Sequence, residues 1–228
     1  MNLCIAGFKN EIEFNNTINV LVIRNRNLLV KTIMELNNII NYQTPSKDII
    51  LYDKDKIVDM SKNIFLVFDV FNIDVNSKNV LNQLYTRISN IVELDNRINQ
   101  DYNLLVGNIV GYVREKLNDL PFEYDINKNI QPKDILKLLS LKINMDKYNT
   151  LQEKIMFLVD VISEFKIASI LTLVGINNYF EQEILEEIYK YAKCRGINLL
   201  LIENDYPLDR KSIENILYID EDFDDFMI

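Results

Sequence analysis

Ile18-Asn19-Val20-Leu21-Val22-Ile23, followed after Arg24-Asn25-Arg26-Asn27 by Leu28, Leu29, Ile33, Leu36, Ile39 and Ile40, decides the fold class. The first run has one polar residue, Asn19, and no alternation, which is the pattern of a strand buried on both faces. The apolar positions after it step by three and four, the period of a helix with one inward face. A buried strand leading directly into a helix is the unit of an α/β layer.

Working outward, Leu3 to Phe8 and Ile12 to Phe14 read as short strands upstream. Ile49-Ile50-Leu51-Tyr52 and Ile64-Phe65-Leu66-Val67-Phe68 read as further strands, beyond the loop signal Thr44-Pro45-Ser46-Lys47-Asp48. From Ser77 the period changes: Leu81, Leu84, Ile88, Ile91, Asp95, Ile98, Tyr102, Leu105, Ile109 and Tyr112 form a heptad-like seam with no proline before Pro121. At 1.5 Å per residue this predicts a helix of roughly 60 Å, which projects as a leg. Tyr148, Leu151, Ile155, Leu158, Ile162 and Phe165 repeat the spacing and predict a second helix packed along the first. Between them lie the polar loop Pro121-Phe122-Glu123-Tyr124-Asp125 and a short helix from Pro132 to Ser140.

The α/β pattern then returns, with Ser169 to Val174 as a strand, Glu181 to Arg195 as a helix ending at Gly196, and Ile197 to Ile202 as a buried strand. The expected organisation is a head made of residues 1–76 and 167–228, interrupted by a helical leg at 77–166.

Composition narrows the chemistry. With no histidine among 228 residues, the commonest general base, the commonest transition-metal ligand and every Ser-His-Asp or Cys-His arrangement are excluded. Cys4 and Cys194 lie far apart without CxxC spacing and read as reduced thiols. With no basic leader and no stretch of membrane-spanning length, a soluble cytoplasmic protein with no membrane partner is expected. The net charge of −9 is uneven: residues 203–228 hold 2 Lys+Arg against 9 Asp+Glu, while residues 1–76 hold 8 against 9 and residues 77–202 hold 15 against 16. Most of the acidity is therefore a property of the C-terminal end, Asp220-Glu221-Asp222-Phe223-Asp224-Asp225 above all. The nearly neutral remainder permits a locally basic face.

A strand–loop–helix at Ile18 to Ile40 is also the context of a phosphate-binding loop. Aligning GxxxxGK[ST] on Asn25-Arg26-Asn27-Leu28-Leu29-Val30-Lys31-Thr32 keeps Lys31 and Thr32 but puts Asn25 and Val30 where glycines let backbone amides reach phosphate oxygens. Asp69, after the run Ile64 to Phe68, imitates the magnesium-associated aspartate of such ATPases. The fold class expected is therefore α/β, with a degenerate P-loop-ATPase-like head and an inserted long α-helical hairpin leg. The plain alternative is an ordinary strand and helix with a surface lysine and a strand-end aspartate.

The string Ile73-Asp74-Val75-Asn76-Ser77 at the entry to the leg resembles the corresponding junction of the Csn-two family of type II-A CRISPR adaptation proteins. Glu123-Tyr124-Asp125, the helical pair, the late strand Leu199-Leu200-Leu201-Ile202-Glu203 and the acidic end follow in that family's order, so the resemblance covers nearly the whole chain. It implies a homotetrameric ring around double-stranded DNA ends, without catalysis and without bound ATP. The ring would act in spacer acquisition beside the integrase and the RNA-guided effector nuclease of the same system. It also implies calcium, for which Glu123, Asp125 and Asp134 are the candidate ligands, a hard cation requiring several oxygen donors. Asp134 has a second reading as a helix cap. Contacts to DNA phosphates fall to Arg24, Arg26, Lys47 and Lys137. Two other readings stand beside this one: an active nucleotide-hydrolysing protein, and a protein-binding scaffold that uses the seam and acidic end without DNA.

Overall fold

In the computed structural model, which describes residues 1–206 and 214–228, the run Ile18–Ile23 is a strand whose six residues are all buried. It is third among the strands, after β1 (Asn2–Ile5) and β2 (Ile12–Glu13), and is called β3; α1 (Arg26–Tyr42) follows it. Next come β4 (Ile49–Asp53), β5 (Lys56–Ile57), α2 (Met60–Asn63) and β6 (Ile64–Val67). The helices α3 (Lys78–Leu94), α4 (Asn96–Leu117), α5 (Pro132–Leu138) and α6 (Leu151–Phe165) lead to β7 (Ile170–Val174) and α7 (Gln182–Cys194). The chain closes with β8 (Asn198–Glu203), β9 (Glu214–Ile219) and β10 (Asp225–Met227).

Two sheets result among the described residues. One is the antiparallel set β2-β1-β4-β5, and the other is a six-stranded sheet in the order β10-β9-β3-β8-β7-β6, parallel except for β10. Parallel neighbours on both sides of β3 explain its unbroken burial: Val20 stands opposite Leu201 on one side and Ile216 on the other. Its one polar residue has partners, because the Asn19 amide donates to the Glu13 carbonyl (3.0 Å) and to Thr17 Oγ1 (2.9 Å) and accepts from Asn215. A buried amide with such partners avoids the desolvation penalty of an unmet polar group.

The described chain divides into two compact units, Met1–Val75 with Met145–Ile228, and Asn76–Asn144. The expected leg boundary at 166 is corrected here, since α6 belongs to the first unit. The spacing of Leu151, Ile155, Leu158 and Ile162 cannot distinguish a coiled-coil seam from a sheet-facing side. Val159 and Val161 are buried as well, which widens the apolar arc beyond a two-per-heptad stripe. α6 packs against α7, where Tyr191 donates its hydroxyl hydrogen bond to Asp160 (2.7 Å) and Arg195 pairs with the same carboxylate (2.8 Å).

Within the second unit, the expected 60 Å helix is two helices of 17 and 22 residues, about 26 and 33 Å long. The break is at Asp95, whose backbone is extended and whose carboxylate accepts from the amides of Arg97 (2.9 Å) and Ile98 (3.2 Å). Asp95, counted in the heptad-like seam from sequence, is thus the N-cap of α4. α5 packs on α3, and three polar contacts tie the intervening chain down: Tyr85 to the Leu141 carbonyl, Tyr102 to the Ile130 carbonyl, and a two-way bond between Asn76 and the backbone of Ile143.

The C-terminal acidic run carries structure that its composition conceals. β9 lies beside β3, and β10 pairs back on it with Phe226 opposite Tyr218. In the turn between them, Asp220 accepts from the amides of Asp222 and Asp224, both at 2.9 Å. Asp225 accepts from the amides of Lys9 (3.0 Å) and Asn10 (2.7 Å) and from the Asn10 side chain (2.8 Å). Partial burial opposes its ionisation, but these donors outweigh it and hold the carboxyl below its ordinary range.

Candidate nucleic-acid interface

A strand-to-helix junction is where a phosphate-binding loop would lie, and at the junction of β3 and α1 only Arg24 and Asn25 separate the two elements. Asn25 is the N-cap of α1, its side-chain oxygen accepting from the amides of Asn27 and Leu28, both at 3.1 Å. Two of the amides that a phosphate loop would offer its ligand are thus committed to an asparagine of the same chain. Residues 26–32 are already helical, so Lys31 and Thr32 sit in the second turn of α1, Lys31 paired with Asp48 at 2.9 Å and Thr32 buried. The expected remnant of a nucleotide loop is corrected accordingly: the stretch is helix, without the wrap a phosphate loop needs.

Asp69 does not join these residues. It follows β6, the outermost strand, where it accepts from the Phe71 amide (2.9 Å) and the Asn72 side chain. The Asn72 hydrogen bond, with those of the backbone, lowers its pKa. β6 stands three strand positions from β3, about 14 Å at ordinary strand spacing. On that side the strand beside β3 is instead β8, which ends in buried Glu203, an acceptor for the Asn177 amide at 3.0 Å.

Around the end of β3 the structure does gather basic side chains. Arg26 opens α1 and is exposed, while Arg24 is half-buried and ion-paired with Asp205. Asn204 fixes the strand exit by donating to the carbonyls of Ile23 (2.7 Å) and Arg24 (3.0 Å). Lys47 is exposed on the loop before β4, next to the Asp48 that pairs with Lys31. An open hollow of about 510 Å³ lies along this face of α1, lined by Asn27, Val30, Lys31, Met34, Thr44 and Ser46 among others. Arg26 and Lys47 are the expected DNA contacts whose charge is most available here, Arg24 being offset by Asp205. Lys137 belongs to the other unit, exposed in the last turn of α5.

The expected calcium ligands are only partly assembled. Glu123 and Asp125 line one open hollow of about 520 Å³ with Asn118 and Tyr124. Asp134 is not among its lining residues; its carboxylate accepts from the Gln131 amide at 3.1 Å and caps α5. No group of three or more His, Cys, Asp or Glu side chains suited to a metal is found among the described residues. Two carboxylates fall short of the six to eight oxygens calcium takes, so the three residues do not fit a calcium site within one chain. Asp134→Ala is expected to destabilise its unit by about 1 kcal/mol, because it removes the N3 carboxylate that accepts from the backbone amide of the N-cap Gln131. Thermal unfolding should show the same loss in calcium and in chelator, and a loss confined to calcium would return Asp134 to a metal role.

A family model described as CRISPR-associated protein (Cas_Csn2) matches residues 41–223. The chain belongs to the Cas_Csn2 family. Among solved structures it is similar to Stu0660 of Streptococcus thermophilus, with 17% sequence identity and a TM-score of 0.59 over 96% of this chain and 74% of that one. That likeness speaks to the fold. No curated protein matches the sequence. As a Cas_Csn2 protein the chain is associated with CRISPR adaptation and works with other components of a CRISPR system. No helix among the described residues is long and apolar enough to cross a membrane.

The division into units also re-sorts the charge. Residues 76–144 carry nine Lys+Arg against eight Asp+Glu, leaving 16 against 26 for the rest of the chain. Within 126–144 four lysines, Lys128, Lys133, Lys137 and Lys142, stand against one acid, Asp134. Sequence reading singled out Lys137 alone; charge counted in a 19-residue window would have found the cluster.

Proposed function

We propose that this Cas_Csn2 protein is a non-catalytic subunit of a homotetrameric ring that encloses double-stranded DNA and holds it through its phosphates during spacer acquisition. The family match over residues 41–223 carries this reading. The β3–α1 junction supports its non-catalytic half, since the helix amides are capped by Asn25 and no glycine loop is present to wrap a nucleotide. Arg26 and Lys47 are assigned to phosphates, with Arg24 as a paired reserve, which gives affinity without sequence preference.

Self-association has support on α4. Ile98, Leu105, Ile109 and Tyr112 are exposed and fall within about 60° of arc at 100° per residue, while Val106 and Val110 on another face are buried. An apolar stripe of this width on a helix is a surface for another helix. Calcium belongs to the proposal as a support of assembly, with Glu123 and Asp125 contributing two ligands and the remainder coming from outside the single chain. The DNA hold itself is assigned to the basic side chains. The integrase and the effector nuclease of the same system are the partners to which the ring presents its DNA.

The test is a mobility shift of a linear duplex, in calcium and in chelator, run beside a native mass measurement. A tetramer that retains the duplex in calcium and weakens in chelator is expected. A monomer with no retention would overturn the proposal in favour of a protein scaffold, and magnesium-dependent ATP turnover lost in Lys31→Ala would overturn it in favour of an ATPase.

A further inference from the structure

The lysine cluster of the second unit has neighbours that DNA does not explain. Lys133 and Lys137 lie one turn apart on α5, both exposed. Leu138 and Leu139 follow at the helix end, 83% and 70% exposed. Lys142 is exposed three residues further on, beyond the left-handed Ser140. A phosphate backbone satisfies lysines but covers no leucine, whereas a protein surface does both. A patch that is basic and apolar together calls for an occupant that is acidic and apolar together.

The chain itself carries such a segment. In the turn between β9 and β10, Asp220 is committed to the amides of Asp222 and Asp224, and Asp225 to those of Lys9 and Asn10. Glu221, Asp222 and Asp224 are left exposed on that fixed turn. Between them Phe223 is 53% exposed and held at φ +69°, a backbone region unfavourable for a bulky residue. An exposed aromatic kept in a strained position by its own turn is costly unless that position is used. Because the turn is already ordered, docking it loses little conformational freedom.

We infer that the Glu221–Asp224 turn of one copy docks on the Lys133–Lys142 patch of another, Phe223 covering Leu138 and Leu139 while its flanking carboxylates meet the lysines. This rests on the self-assembly reading above, gives it one definite contact, and moves Lys137 from the DNA to the subunit interface. Turn against patch can be satisfied reciprocally across a two-fold axis or head to tail around a ring, and both are closed assemblies.

The experiment compares native masses by light scattering for the full-length wild type, for Lys133→Glu with Lys137→Glu, for Asp222→Lys with Asp224→Lys, and for the chain carrying all four changes. At a concentration where the wild type is assembled, each reversed pair is expected to lower the assembled fraction at least tenfold, and the four-fold variant to recover it. Recovery also shows that the reversed chains fold. Phe223→Ala should weaken assembly without altering charge. A monomeric wild type would remove the self-assembly reading itself. An assembled wild type whose reversed pairs assemble equally well would overturn this interface alone, and if those lysine variants then lose duplex binding, the patch belongs to DNA. Reversed pairs that both dissociate without recovery in the four-fold chain would also overturn the pairing.

Discussion

Leu158→Ala is expected to lower the unfolding free energy by about 2–5 kcal/mol, the usual cost of deleting a fully buried leucine side chain. Leu158 has no solvent exposure and sits on α6 among Ile155, Val159, Val161 and Ile162, on the side that the first unit buries. Denaturant unfolding gives the magnitude, and hydrogen exchange gives the location. Loss of protection should fall on the amides of β7 and β8, because α6 belongs to the unit that contains the six-stranded sheet. A cost under about 1 kcal/mol, or faster exchange confined to residues 76–144, would return α6 to the helical leg.

The second large effect is in binding. A ring that neutralises six to ten phosphates loses about 10³–10⁵ in affinity for linear duplex between 50 and 200 mM salt, since each contact releases counterions. Arg26→Ala combined with Lys47→Ala should weaken binding at every sequence alike. It should also flatten the dependence of log affinity on log salt by about 0.9 for each contact removed. Lys31→Ala serves as the comparison: its ammonium is paired with Asp48, and its loss should leave the slope nearly unchanged. Equal slopes for the wild type and the Arg26/Lys47 variant would take those residues out of the interface, wherever the DNA then lies.

Much of the α/β layer was legible because burial on both faces leaves a local mark. Ile18–Ile23 stands with the bounds read from its apolar run, and β8 lies within one residue of the strand read at Ile197 to Ile202. The helical stretches were legible as helices but not in their allegiance. A three-four spacing records that one side is apolar without recording whether a helix or a sheet lies opposite, and α6 therefore moved to the first unit. Asp95 broke the long seam through a backbone change in one residue, to which hydrophobic periodicity is blind. β9 escaped because Ile216, Leu217, Tyr218 and Ile219 sit inside a segment whose acidity dominated its reading.

The candidate site was less legible for a related reason. Glu123 and Asp125 share a hollow because they are two residues apart in one loop, but whether Asp134 joins them depends on the path of residues 126–131, which carry no periodic signal. The same path decides that Asp134 caps α5. For the glycine-less loop, sequence showed that a phosphate cradle was spoiled. That residues 26–32 are helix from the start, with Asn25 on the amides, needed the backbone.

Enclosure of duplex DNA, held through its backbone without catalysis, is the mechanism proposed for this protein. Its most direct measurement is retention of one duplex in two forms, linear and covalently closed into a circle, at moderate salt with calcium present. If DNA is enclosed, a closed ring threads onto the linear form and retains it, while the closed circle, having no end, is bound at least tenfold more weakly. Equal retention of both forms would contradict enclosure and leave a surface that binds DNA from the side.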